Sequence, residues 1–134
     1  MRSIGNRTGE ATTLSNIGGV YSDISQPQEA LKYLNQALPI SREMGDRAGE
    51  ANTLSGIGVV YDSISQPQEA LKYLNQALPI LREVGDRREE AIILNNIGGV
   101  YNDISQPKEA FKYLNQALSI TGSGRTNDRS SYFE

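Results

Sequence analysis

Apolar and polar residues alternate along this chain with the spacing of two amphipathic helices, and the pair recurs every 40 residues. Apolar residues at steps of three and four positions lie on one face of a helix. In the first copy, the stripe of the first helix consists of Ala11, Leu14, Ile17, Gly18 and Tyr21. After a short polar turn, the stripe of the second helix consists of Ala30, Leu34, Ala37 and Leu38. The pattern therefore predicts a helix-turn-helix unit.

Three copies of this unit follow one another and align without gaps. Residues 24–40 and 64–80 have identical sequences, and residues 104–120 differ from them at only three positions. Since neither helix is apolar all round, each must bury its stripe against its partner and against the next unit. We therefore predict an all-α fold, an α-solenoid of three tandem helix-turn-helix units. These units occupy residues 5–44, 45–84 and 85–120.

Two segments fall outside the repeats. Residues 1–4 align with the end of the second helix in the later copies, so we interpret them as the remnant of a preceding repeat in a longer array. Residues 121–134 are rich in Gly, Ser and Asn and lack helical periodicity, which predicts a flexible tail. No polar capping helix follows the third unit. The outer side of its last helix, around Ala110, Phe111, Leu114 and Leu118, is therefore expected to stay uncovered and to favour a homo-oligomer.

Polar residues at the predicted helix starts indicate N-caps. Asp46 and Asp86 precede the first helices of the second and third copies, and Asn6 takes that place in the first copy. Ser25 and Ser65 are predicted to cap the second helices, because each is followed three residues later by a glutamine, as in a capping box.

Three smaller patterns predict structural roles. The pairs Gly18-Gly19 and Gly98-Gly99 lie inside helices without a phosphate-loop lysine, which favours close packing over phosphate binding. The adjacent carboxylates of Glu89-Glu90 point to different sides of a helix, so we expect both to be solvated. Arg47 and Arg87, at the starts of first helices, are expected to balance neighbouring carboxylates rather than to edge a groove.

The composition excludes several classes of function. A net charge of −3 and an isoelectric point of about 5.0 argue against general binding to nucleic acids or anionic membranes. The chain has no cysteine and no histidine, and no catalytic pattern is recognisable, so we predict no enzymatic activity, no metal and no cofactor. No apolar run approaches the ~18 residues of a membrane span. The N-terminus also lacks the apolar core of a signal peptide, which predicts a cytoplasmic protein.

One stripe of each first helix points away from the packing face, and we name it the groove stripe. It comprises Thr12, Ser15, Asn16, Gly19, Ser22 and Asp23 in the first copy, Asn52, Ser55, Gly56, Val59, Asp62 and Ser63 in the second, and Ile92, Asn95, Asn96, Gly99, Asn102 and Asp103 in the third. Short amides can bond the backbone of an extended peptide, and carboxylates favour basic side chains on a partner. The residues predicted to contact a partner are Asn16, Asp23, Asn52, Ser55, Asp62, Asn95, Asn96, Asn102 and Asp103. The alternative is that these are only solvated polar positions.

The packing residues resemble the pattern of the tetratricopeptide repeat family over residues 5–120. The matching positions in the first copy are Leu14, Ile17-Gly18, Tyr21, Ala30, Leu34 and Ala37-Leu38, and both later copies match again. The 40-residue period and the Gly-Asp-Arg joins are similar to repeats of kinesin light chains, of Pins-type signalling modulators and of cyanobacterial arrays. The resemblance implies a right-handed superhelical stack whose first helices line a concave groove for a peptide or protein. Relatives that grip a terminal carboxylate use Lys and Arg there, and this groove stripe has neither.

The resulting prediction is a protein–protein interaction module, an excerpt of a larger scaffold or signalling protein. The alternative is a structural spacer or self-assembling repeat array without its own ligand. The near-identity of the copies favours that alternative.

Overall fold

The computed structural model describes residues 4–122. Over that range the chain forms six α-helices and no strand. They are α1 (Ile4–Asp23), α2 (Pro27–Glu43), α3 (Arg47–Ser63), α4 (Pro67–Val84), α5 (Arg87–Asp103) and α6 (Pro107–Thr121). The predicted all-α fold of three helix-turn-helix units is confirmed.

Each unit is one helix pair, in which α1 packs on α2, α3 on α4 and α5 on α6. Neighbouring units are joined where α2 contacts α3 and where α4 contacts α5. The first helices also contact one another, α1 with α3 and α3 with α5, so they line one side of the stack. Each helix therefore packs mainly against its neighbours in sequence, as expected of a solenoid.

A glycine in each first helix permits close packing within the unit. A Cβ atom at Gly18 would lie 2.8 Å from Cγ of Leu34, and one at Gly58 would lie 2.7 Å from Cγ of Leu74. Both leucines are buried in the core. These distances are too short for a real Cβ contact, so a side chain at this position would push the two helices apart. The close approach of the two helices therefore requires glycine.

The recurring tyrosines pack the two helices of each unit together. Tyr21 of α1 stacks on Tyr33 of α2 with ring centroids 5.5 Å apart, and the corresponding pairs of the other units have centroid distances of 5.7 and 5.6 Å. Lys32 Nζ lies 5.6 Å from the centroid of the Tyr33 ring. Stacked aromatic pairs add stability beyond the area they bury.

The helices α3 and α5 begin at their predicted N-caps. The carboxylates of Asp46 and Asp86 each accept a hydrogen bond from the backbone N–H three residues later, at 3.0 and 3.1 Å. The helix α1 begins earlier, at Ile4. Asn6 therefore lies inside α1, and its predicted capping role is wrong.

Ser25 and Ser65 do not cap the second helices, so this prediction is also wrong. The N-cap is the glutamine that follows each serine, and it makes no side-chain capping bond. Ser25, Ser65 and Ser105 instead have left-handed backbone, with φ of 62°, 59° and 60°. This conformation ends the first helix, because it lets the Gln26 N–H donate to the Tyr21 carbonyl at 2.8 Å.

Most of the two segments outside the repeats lies beyond the described residues. This applies to residues 1–3 of the predicted remnant and to residues 123–134 of the predicted tail. None of the described helices is both long and apolar enough to cross a lipid bilayer.

Candidate functional site

The groove stripe lies on the accessible side of the first helices. Six of the nine predicted contact residues have exposed side chains, namely Asn16, Asp23, Asn52, Asn95, Asn102 and Asp103. The other three are half-buried, namely Ser55, Asp62 and Asn96. Because none of the nine belongs to the core, all of them remain accessible to a partner.

A cleft of about 530 Å³ lies between the exposed sides of α1 and α3. It brings together three of the predicted residues, Asn16 and Asp23 from α1 and Asn52 from α3. Two valines, Val20 and Val59, add apolar surface, with exposed fractions of 59% and 43%. Amides, a carboxylate and apolar surface therefore meet in one space, whereas the other six predicted residues lie outside this cleft.

Val20 is a lining residue that the sequence pattern did not identify. Its counterparts Val60 and Val100 are 1% and 0% exposed, and they belong to the core. Val20 is accessible because the described residues contain no helix pair packed in front of α1. The sequence signal that could have identified Val20 is that it belongs to the first copy, in front of which no other described copy packs.

Two glycines of the groove stripe face open space. A Cβ atom at Gly19 or Gly99 would meet nothing within 4 Å, whereas one at Gly18 or Gly98 would lie 2.8 Å from a leucine of the second helix. The prediction of close packing is thus correct for the first glycine of each pair and wrong for the second. The second glycine leaves backbone uncovered on the groove side.

Two serines near the cleft already make hydrogen bonds. The Ser55 hydroxyl donates to the Ala51 carbonyl at 2.8 Å. Its proton is therefore used within α3, and the hydroxyl is left to act as an acceptor. The Ser15 and Thr53 hydroxyl oxygens lie 2.9 Å apart, so α1 and α3 are tied together by a hydrogen bond beside the cleft.

The carboxylates of α3 and α5 make the groove acidic. Partial burial raises the pKa of Asp62, and the negative charge of Asp103 on α5 raises it further. No Lys or Arg belongs to the groove stripe. A positively charged group placed between Asp62 and Asp103 would therefore relieve a repulsion that the folded chain contains.

The arginines at the helix starts pair with glutamates of their own and neighbouring helices. Arg47 donates to Glu83 at 3.0 Å and to Glu50 at 2.7 Å, and these bonds raise the pKa of Arg47. The bond from Arg47 also lowers the pKa of Glu83. Arg42 of α2 donates to the same Glu50 at 3.1 Å. The expectation that these arginines balance carboxylates is confirmed, and the pairs also join successive units.

The expectation that Glu89 and Glu90 are both solvated is wrong for Glu90. The Glu90 side chain is only 4% exposed and accepts bonds from Arg82 at 2.9 Å and Arg87 at 3.0 Å. Adjacent positions do point to different sides of the helix, but the side facing α4 is the joint between units.

Among the described residues, no group of three or more Asp, Glu, His or Cys could hold a metal ion.

Solved structures share this fold. The tetratricopeptide domain of Arabidopsis FLU superposes with a TM-score of 0.81 at 16% identity, covering 87% of this chain and 98% of that domain. BtubC from P. vanneervenii superposes with a TM-score of 0.79 at 21% identity, covering 84% of this chain and 47% of that chain. A kinesin light chain-like protein of Podospora anserina with nearly identical repeats has a TM-score of 0.73 at 19% identity, with coverages of 91% and 58%. This chain thus spans about half the length of the last two.

The family itself is shown by sequence profiles. A profile described as tetratricopeptide repeat matches residues 9–83, and a second profile with the same description matches residues 91–123. No curated protein sequence matches the chain. Since the first profile alone covers more than half of the residues, and the helix pairs pack as that family's repeats do, the chain belongs to the tetratricopeptide repeat family.

Proposed function

We propose that this chain is a protein-interaction module whose groove stripe binds an extended peptide carrying basic side chains. The proposal rests on the positions at which the three copies differ in sequence. Each of the six positions in the groove stripe differs between at least two copies. The apolar stripe packed against the second helix does not differ, namely Ala11, Leu14, Ile17, Gly18 and Tyr21 with their counterparts, although the buried position held by Thr53 and Ile93 does.

Exposure alone does not account for this distribution. The exposed residues Lys32, Asn35 and Gln36 of α2 recur unchanged in α4 and α6. The second helices vary less than the groove stripe, because residues 24–40 and 64–80 are identical and residues 104–120 differ from them only at Lys108, Phe111 and Ser119. The difference supports separate recognition by each unit, and therefore a partner that is not itself repetitive.

The chemistry of the stripe favours a basic peptide. Each unit contributes one or more carboxylates, among them Asp23, Asp62 and Asp103, and no cation opposes them within the stripe. Asparagine amides offer both a donor and an acceptor to a peptide backbone. Exposed apolar side chains, Val59 and Ile92, complement the polar contacts with 43% and 40% of their surface accessible. Since packed helices hold these groups in place, little ordering cost opposes binding.

The test begins with a peptide selection on the intact 134-residue chain, followed by fluorescence anisotropy with the enriched peptides. We expect enrichment of Lys and Arg, and affinity that falls as salt rises. The double substitution Asp62→Asn and Asp103→Asn should weaken binding about tenfold or more, because each removes a charge near the ligand. Asn16→Ala with Asn96→Ala should weaken it without altering the salt dependence.

The matched control is Asn35→Ala with Asn75→Ala, which removes two exposed amides of the second helices. It should leave binding unchanged. Enriched peptides that are acidic, or that lose affinity equally with the control variant, would contradict the proposal. A folded chain that enriches no peptide would favour the spacer alternative.

A further inference from the structure

We propose that a small polar cavity beside the cleft binds a primary ammonium group. A basic peptide bound as in the proposed function, on which this inference rests, would supply that group. The cavity has a volume of about 40 Å³ and lies where α1 and the end of α2 meet the start of α3. Ser15, Asn16 and Asn52 line both this cavity and the cleft, so the two spaces adjoin. The rest of its polar lining consists of Thr12, Ser41 and Asp46.

The Ser41 hydroxyl is buried in this joint without a structural use. Ser41 is 3% exposed, and its hydroxyl makes no hydrogen bond to any residue that the structure describes. Because an unpaired hydroxyl is costly to bury, a position of this kind normally carries an apolar residue. The corresponding residue of the second unit is Leu81, which is 4% exposed. Since Ser41 lines the cavity, its hydroxyl is available to a ligand there.

The protons of the neighbouring hydroxyls are already used within the fold. Thr53 donates to the Gly49 carbonyl at 3.0 Å, so in its 2.9 Å contact with Ser15 it can only accept. Ser15 therefore donates to Thr53 and keeps a lone pair for the cavity. Thr12 likewise donates to the Thr8 carbonyl at 3.1 Å. The hydroxyls of Thr12 and Ser15 can thus accept a hydrogen bond from a ligand but cannot donate one.

The carboxylate of Asp46 gives the cavity a negative charge. One of its oxygens accepts a hydrogen bond from the Gly49 N–H at 3.0 Å. The nearest arginines in sequence, Arg42 and Arg47, both donate to Glu50 instead, at 3.1 and 2.7 Å. A carboxylate beside acceptor hydroxyls is complementary to a cation that only donates, and a primary ammonium is such a group.

The size of the cavity favours an ammonium over a guanidinium. A volume of about 40 Å³ has room for about three water-sized groups. A lysine ammonium is a compact charge on a flexible stem, whereas the arginine guanidinium is a wider planar group. At the next joint, Leu81 takes the place of Ser41 and Ile92 the place of Asn52. The ammonium preference therefore belongs to the first joint and sets the register of a lysine along the groove.

Nuclear magnetic resonance titration of the isotope-labelled full chain tests the cavity without a peptide. The probes are butylammonium chloride and methylguanidinium chloride, with sodium chloride as the control for ionic strength. Butylammonium should shift the backbone amide signals of Ser41, Asp46 and Gly49 to saturation, and it should bind about tenfold more tightly than methylguanidinium. Equal affinity for the two cations, or shifts that sodium chloride reproduces, would overturn the proposal.

Two matched substitutions separate the cavity from the general charge of the chain. Asp46→Asn removes the carboxylate and keeps the helix cap, because asparagine caps about as well as aspartate. Asp86→Asn makes the same change at the start of α5, beside Leu81 in place of Ser41. Butylammonium should bind Asp46→Asn about tenfold more weakly and Asp86→Asn as well as the unaltered chain. Equal losses in both variants, each folded by circular dichroism, would contradict the proposal.

Displacement of butylammonium by peptides identifies the source of the ammonium. One peptide has a blocked amino terminus and a single lysine, and the other has a free amino terminus and no lysine. Displacement by either supports the proposal, and displacement by neither overturns it. Basic peptides that bind the groove with an affinity unchanged by Asp46→Asn would contradict the ammonium cavity alone, because the proposed function rests on Asp62 and Asp103.

Discussion

Gly18 and Gly19 are adjacent in α1, and the same substitution should stabilise the chain at Gly19 but not at Gly18. Alanine in place of glycine inside a helix is favoured by about 1 kcal/mol through helix propensity. At Gly19 nothing lies within 4 Å of the new Cβ, so this gain should appear in full. Gly19→Ala should therefore raise the free energy of unfolding by about 1 kcal/mol.

At Gly18 the new methyl group has no room. Its Cβ would lie 2.8 Å from Leu34 Cγ, 3.1 Å from Leu34 Cδ2 and 3.2 Å from the Ala30 carbonyl oxygen. Leu34 is 3% exposed, and overpacking a buried site costs about 1–3 kcal/mol. Since the gain in helix propensity is common to both variants, Gly18→Ala should be less stable than Gly19→Ala by the overpacking cost of about 1–3 kcal/mol.

Urea unfolding followed by far-ultraviolet circular dichroism gives both values by linear extrapolation. A third comparison isolates the clash, because Leu34→Ala removes the side chain that Gly18→Ala would meet. On that background Gly18→Ala should become stabilising, with a coupling of about 1–3 kcal/mol between the two sites. If Gly18→Ala stabilises the unaltered chain as much as Gly19→Ala does, the assignment of Gly18 to close packing is incorrect.

Three further predictions concern a turn, a joint and the groove. Ser65→Gly should stabilise the chain by about 0.5–1 kcal/mol in urea unfolding. The left-handed backbone at φ 59° is strained for serine and unstrained for glycine, and relief of this strain outweighs the extra entropy that glycine gives the unfolded chain. Ser119→Gly, within α6, should destabilise it instead. Glu90→Gln should lower the free energy of unfolding, measured by thermal unfolding, by about 1–2 kcal/mol. The substitution removes the charge of a buried acceptor that receives hydrogen bonds from two arginines, and the loss stays modest because the exposed arginines remain hydrated. An equal loss for Glu89→Gln would contradict that reason. Asp62→Asn should be more stable than the unaltered chain at pH 7, and the difference should close as the pH falls through the raised pKa of Asp62 and below its unfolded value near 3.9. A difference that grows at low pH would refute the assigned direction.

The helix pairs could be predicted from sequence because three copies repeat the same evidence of periodicity. Leu34, Leu74 and Leu114 recur at one place, so a chance pattern is excluded without a structure. The N-caps of α3 and α5 were predictable for a similar reason, since an aspartate side chain at that place has one obvious bond to make.

The turns and joints could not be predicted in the same way. A serine before a Gln-Pro pair reads as a cap, yet Ser25 has the left-handed backbone that ends α1. Whether such a residue ends one helix or begins the next depends on φ, which residue type does not determine when the turn is short. Burial of Glu90 was equally hidden, because the two arginines that compensate its charge come from different helices.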